Sequence, residues 1–196
     1  VAAFRAQYQL GESPVVLSIG RNDPAKDFPT LWRTFQELGR RSERPIVALQ
    51  VGASLDPAEL RRTLGDVPNN VRLVALPQLP QDQLPAVYGA ANVYLSTSHH
   101  ESFGKVLVEA NAAGLPLVAT ATTGSQEIIQ PGVNGYLVPV GDASLLADRT
   151  QQLLNDPELA RAIGERGRAL VAERFDGRRN TEEIVQFWRD LTGGTI

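Results

Sequence analysis

The chain is predicted to fold as a single Rossmann-like, three-layer α/β/α domain with about six parallel strands. Two observations carry that expectation. Short runs rich in Val, Ile and Leu alternate regularly with amphipathic segments from residue 14 to residue 140; such alternation gives a parallel sheet covered by helices on both faces, and right-handed crossovers make it doubly wound. No internal repeat, low-complexity tract or linker interrupts this order, so one domain is expected over 14–196, with 1–13 as a linker remnant ahead of it.

The elements follow in order. "PVVLSIG" (14–20) reads as a buried strand ended by Gly. "DFPTLWRTFQELGRR" (27–41) reads as a helix: Asp27 caps or flanks its start, Pro29 suits the first turn, and Leu31, Phe35 and Leu38 share a face. "PIVALQVG" (45–52) is a strand, and "DPAELRRTLG" (56–65) a short helix with Asp56 as N-cap. "NVRLVAL" (70–76) is the third strand, followed by a Pro-interrupted helix over 80–91. Strand 92–98, helix 104–114 and strand 116–120 come next, then a brief helix "GSQEIIQ" and a last strand within 132–140, entered through Gly-Val-Asn-Gly. From Ala143 to about Leu191 the chain reads as helices broken near Asn155-Asp156-Pro157 and Asp176-Gly177.

Composition removes several function classes. Cysteine is absent and the only two histidines, His99 and His100, are adjacent, so thiolate chemistry is excluded and a His-rich metal site is not expected. The net charge is −3 with no long basic run, which argues against nucleic acid as a partner. No apolar run reaches the roughly 18 residues of a membrane span. The start "VAAFRAQYQLGESP" lacks the order of a signal peptide, and Met occurs nowhere, so a piece of a longer protein is expected.

In a doubly wound sheet the ligand lies at the carboxyl ends of the strands, beside helix N-termini with free amides. After the first strand, "GRNDPAKDF" places Arg21 and Lys26 there. Two cations on one loop suit a diphosphate; solvated surface charges are the alternative. Neither Gly-x-Gly-x-x-Gly nor a Walker loop occurs here. The second candidate is "HHESFGKVLVEANAAG" (99–114), with Glu101 in a loop and Glu109 in the helix that follows. Burying Glu109 would cost several kcal/mol without partners such as vicinal hydroxyls. Between the carboxylates, the amides of Phe103, Gly104, Lys105 and Val106 are first-turn donors, an anion site aided by the helix dipole. Gly104 lets a ligand approach the backbone. A sugar, a phosphate and a ribose are consecutive parts of one molecule, a nucleotide-sugar. Otherwise Glu101 is an acid favoured by the dipole and Glu109 an exposed helix residue.

The segment from "ESFGKVLVEANAAG" through "LPLVATATTGSQEIIQPGVNGYLVPVGD" closely resembles the C-terminal, donor-binding half of group 1 (family 4) retaining glycosyltransferases of GT-B fold. Glu101 and Glu109 match the family's pair of glutamates with seven residues between them, and "AAGLP", "GSQE" and "VNG" match its later turns. "SIGRNDPAKDFPTL" and "LLNDPELARAIGERGRALVAERFD" extend the likeness over roughly 14–176. The resemblance implies that Arg21 and Lys26 grip the donor diphosphate and stabilise the leaving group. It implies that Glu101 accepts hydrogen bonds from the donor sugar, with the amides of Ser102 to Val106 over the sugar and distal phosphate. Glu109 would take the ribose hydroxyls, and Leu79, in "LPQL" (76–79), the nucleobase through its backbone. Lys105 departs from the commoner apolar residue and reads as a phosphate contact or a solvent-facing lysine; His99 and His100 are not the family's catalytic histidine, expected in another domain.

The implied activity is transfer of a sugar with retention from a nucleotide-diphosphate-sugar to a glycan, lipid or small-molecule acceptor. No metal and no cofactor beyond the donor is implied. The acceptor would meet an absent N-terminal domain, so the isolated domain is expected to bind its donor weakly and to turn over little. A cytoplasmic setting is implied, with peripheral contact to the inner face of the membrane through the absent half. Two alternatives stand beside this: an epimerase or a pyridoxal-dependent phosphorylase relative on the same fold, and a non-catalytic nucleotide-binding or assembly module.

Overall fold

The computed structural model describes residues 1–21, 23–52 and 57–191. In chain order the elements are α1 (Ala2–Gln7), β1 (Val15–Ile19), α2 (Phe28–Arg41), β2 (Ile46–Val51), α3 (Pro57–Leu64), β3 (Val71–Leu76), α4 (Leu84–Gly89) and β4 (Val93–Ser96). They continue with α5 (Lys105–Ala112), β5 (Leu117–Thr120), α6 (Thr123–Ile128), β6 (Gly135–Val138), α7 (Ala143–Asn155), α8 (Pro157–Arg174) and α9 (Gly177–Leu191). The strands form one sheet in the order β3-β2-β1-β4-β5-β6, every pair parallel.

Side chains alternate across a strand, and here both faces are covered. Val16, Ala48, Val93 and Val118 point into one cluster with Leu31, Phe35 and Leu38 of α2 and Leu146 of α7. Their neighbours Val15, Leu17, Val47 and Leu117 point into the other, with Val87 and Tyr88 of α4 and Leu107 and Ala110 of α5. Burial on both faces is why the strands read as continuous apolar runs.

Local chemistry sets the boundaries. Asp27 caps α2, its Oδ1 accepting from the Thr30 amide at 3.1 Å, as expected from its place before Pro29. The segment before it is a 3-10 turn, Pro24–Lys26, capped by Asp23 and not foreseen from the sequence; it ends on Asp27 in the left-handed region at φ +48°. The helix expected over 80–91 is shorter: a 3-10 turn, Gln81–Gln83, precedes α4 because Pro85 falls in the first turn. Residues 1–13, read as a linker remnant, carry α1, and Phe4 and Leu10 are buried in the core. The N-cap expected at Asp56 lies outside the described residues. No helix among the described residues is long and apolar enough to cross a membrane.

The turn into β6 rests on a buried amide network. The Asn134 side chain is fully buried; its Nδ2 donates to Asn111 Oδ1 at 2.6 Å and to the Ile128 carbonyl at 3.0 Å, while its Oδ1 accepts from the Gln130 amide at 2.7 Å. Asn134→Ala leaves two buried acceptors and the half-buried Gln130 amide without these partners and should lower unfolding free energy by about 3 kcal/mol. A urea unfolding curve checks this, and a loss under about 1 kcal/mol would show that water replaces the amide.

The strand order places β1 and β4 side by side while their connections leave in opposite directions, to β2 through α2 and to β5 through α5. That is the switch point at which doubly wound sheets open a crevice at the carboxyl edge.

Candidate functional site

Two loops meet over that crevice, one joining β1 to α2 and the other β4 to α5. They are stitched together by the backbone: the His99 amide donates to the Ala25 carbonyl at 2.8 Å, and the Thr97 hydroxyl donates to the Lys26 carbonyl at 2.9 Å. His99 Nε2 also lies 3.2 Å from Oδ2 of the buried Asp27. From the far side, the Thr120 hydroxyl donates to the Ser98 carbonyl at 2.6 Å, and the Gly124 amide donates to the Glu101 carbonyl at 2.8 Å.

This stitching brings two of the predicted residues into contact. Lys26 Nζ donates to Glu101 Oε2 at 2.5 Å, across 75 positions of sequence, with side chains only 27% and 19% exposed. Glu101 does not stand alone in its loop; its charge is already matched by the cation expected on the phosphate.

Beyond Glu101 the chain turns sharply into α5. Gly104 caps that helix at φ +87°, a conformation open to glycine, and a side chain there would press on Leu107 and Ile128. The first helical bonds return from the Leu107 and Val108 amides to the Gly104 carbonyl at 2.8 and 3.3 Å. The Lys105 and Val106 amides precede them and belong to the helix's free donors. Ser102 and Phe103 are exposed, and the Phe103 ring meets Phe175 edge-on at 5.8 Å between centroids. The helix start expected to take an anion thus lies open beside the Lys26–Glu101 pair.

Glu109 lies one turn further along α5, half-buried and held on both oxygens. The Tyr88 hydroxyl donates to Oε2 at 2.8 Å, and Lys105 Nζ approaches Oε1 at 3.4 Å from an outer position that leaves the lysine 70% exposed. Lys105, four residues before Glu109, thus faces solvent and reaches the carboxylate from there. Burial, reinforced by Tyr94 and by the bond to Glu109, pushes the Tyr88 phenol far above its ordinary value, so it stays a donor.

Arg21 is exposed and joins Leu79 in the wall of a cavity of about 210 Å³, with Gly20, Gly52, Gln78 and Leu84. A second cavity, about 340 Å³, is lined by Gln81, Leu84, Tyr88, Glu109 and Ala113. Leu84 borders both, so the two cavities are neighbours. Sequence reasoning missed Tyr88, Thr97 and Gly124. Tyr88 sits among apolar residues of a short helix and carries no motif; the glycine stood in plain view in "GSQE", but its packing on the Glu101 loop is a tertiary fact.

A doubly wound parallel sheet thus brings Lys26, Glu101 and the start of α5 together at the β1/β4 switch point, the place where α/β domains of this class bind their ligands. Residues 2–170 match the family described as Glycosyl transferases group 1, and the chain belongs to that family. It is 36% identical over 199 aligned residues to a D-inositol 3-phosphate glycosyltransferase of Saccharomonospora viridis, covering 96% of this chain and 46% of that protein. Among solved structures, sucrose-phosphate synthase from Thermosynechococcus elongatus superposes with a TM-score of 0.79 at 33% identity, over 100% of this chain and 50% of that one. Anabaena HepE, solved in complex with UDP and glucose, gives 0.80 at 26% identity, over 95% and 51%. The chain spans about half the length of these relatives.

Proposed function

We propose that this chain is the donor-binding domain of a retaining glycosyltransferase that takes a sugar from a nucleotide-diphosphate-sugar without a metal ion. The contact between Lys26 and Glu101 carries the reading. A lysine and a carboxylate held together beside an open helix N-terminus suit a junction of two chemistries: an anion on the lysine and amides, and a hydroxyl-rich group on the carboxylate. A glycosyl diphosphate is such a junction. The UDP and glucose bound to Anabaena HepE and the family membership support the same reading.

On this reading the diphosphate lies along Arg21, Lys26 and the amides of Ser102 to Val106, the sugar over Glu101, the ribose at Glu109 and the base at Leu79. Breaking the sugar–phosphate bond builds negative charge on the leaving diphosphate. Lys26 and the amides at the start of α5 are already fixed in place, so they stabilise that charge as it develops with little reorganisation. Glu101 binds and orients the sugar while keeping the lysine in position. The acceptor, a glycan, lipid or small molecule, enters from a second domain outside this chain.

Glu109→Ala tests the ribose assignment. Titration with UDP should show affinity at least about tenfold weaker, the worth of hydrogen bonds to a charged group. Unchanged affinity would remove Glu109 from the donor site.

A further inference from the structure

We infer that Tyr88 is the positioning residue of the ribose site: its hydroxyl fixes Glu109 in the orientation that distinguishes a ribonucleotide from a nucleotide lacking the ribose hydroxyls. The inference rests on the donor-binding reading above and adds a residue that no motif marks.

The two oxygens of Glu109 are held very differently. Oε2 is met at 2.8 Å by a side chain from the core, while Oε1 is approached at 3.4 Å by a lysine that is mostly in water. Tyr88 is only 3% exposed and belongs to the apolar cluster under α4 and α5. Its ring tilts against that of Tyr94 at 6.4 Å, and Tyr94 in turn is fully enclosed, its hydroxyl donating to the Ile19 carbonyl at the end of β1. The contact to Glu109 is thus anchored through packed rings to the central strands. A buried phenol hydroxyl requires an acceptor, and the carboxylate supplies it.

A glutamate on a helix surface otherwise samples several rotamers, and fixing it on binding costs free energy. With Oε2 tied from below, that cost is met when the protein folds, and Oε1 is left to the exposed Lys105. The long, exposed Lys105 yields that oxygen more readily than the rigid phenol yields the other. Each carboxylate oxygen accepts more than one hydrogen bond, so vicinal hydroxyls approaching from the cavity can bond to Oε1 and to the second lone pair of Oε2 while Tyr88 stays in place. Without the phenol hydroxyl the carboxylate keeps its charge and loses its aim.

The test is Tyr88→Phe, which keeps the ring and its packing. Binding of UDP and of 2′,3′-dideoxy-UDP is measured by calorimetry on the parent chain, on Y88F, on Glu109→Ala and on the double variant. The parent should prefer UDP by about tenfold or more, and Y88F should lose most of that preference while its affinity for the dideoxy ligand changes less than about twofold. In the Glu109→Ala background, Y88F should have no further effect on the preference. Full preference retained in Y88F would overturn the role of Tyr88 and leave the ribose assignment standing, and an equal loss for both ligands would assign Tyr88 a merely structural part. A parent chain that binds both ligands alike, or neither, would overturn the ribose assignment and this inference with it.

Discussion

Lys26→Ala is expected to weaken UDP binding by about 30- to 100-fold while uridine affinity changes by less than about threefold, the difference corresponding to about 2–3 kcal/mol on the diphosphate alone. Two effects add. The first is loss of a cation facing a doubly charged group in a partly dehydrated cleft, where a charge pair is worth more than at the open surface. The second is that Glu101, 19% exposed and bonded to this lysine, is left uncompensated and repels the diphosphate. Arg21, exposed at the rim, should matter less; Arg21→Ala should lower UDP affinity by only about fivefold, as for a solvent-screened contact. Lys26 also packs its stem over Gly20, where an added Cβ would come within 3.3 Å of its Cγ. Lys26→Met keeps the stem and removes the charge, so it should match the alanine variant on UDP. A Lys26→Met chain that binds UDP like the parent would show that the stem, not the charge, carries the effect.

The strands and the positions of the charged candidate residues were legible in the sequence for physical reasons. The central strands β1, β2, β4 and β5 are buried on both faces, so runs such as "PVVLSIG" stand out against their amphipathic neighbours, and the observed β1 (Val15–Ile19) falls inside the expected 14–20. Arg21, Lys26, Glu101 and Glu109 were visible because the carboxyl edge of a parallel sheet is where polar loops face a ligand. The order of the strands was not legible, since alternation predicts parallel strands but not which of them neighbour one another. Nor was the meeting of Lys26 with Glu101, because it depends on a 3-10 turn ending at a left-handed Asp27, and a polar residue at positive φ leaves no periodic trace. Tyr88 was invisible for the opposite reason. Its ring is ordinary core, and only its hydroxyl, emerging beside α5, belongs to the site.

Gly124→Ala should affect a nucleotide-sugar far more than a nucleoside, although Gly124 touches neither. Its backbone amide supports the Glu101 carbonyl at 2.8 Å, and a Cβ added there would fall 2.6 Å from that oxygen and 2.8 Å from both the Phe103 nitrogen and its carbonyl carbon. All three are backbone atoms, so no side-chain rotation relieves the contact; the loop itself must move by several tenths of an ångström. Small displacements of positioned groups are costly, a shift of about 1 Å being worth about a hundredfold in favourable geometries. The shift would carry the Glu101 carboxylate away from Lys26 and move the Ser102 and Phe103 amides together, whereas Glu109 and the Arg21–Leu79 cavity stand on other supports. UDP-glucose affinity should therefore fall by about tenfold or more with uridine nearly unchanged, at a stability cost of about 1–3 kcal/mol for the overpacked contact. Thr123→Ala, one residue earlier and exposed, is the control and should alter neither ligand. Equal losses for UDP-glucose and uridine in Gly124→Ala would mean that the change spreads through the fold, and that the loop carrying Glu101 has no separate hold on the sugar end of the donor.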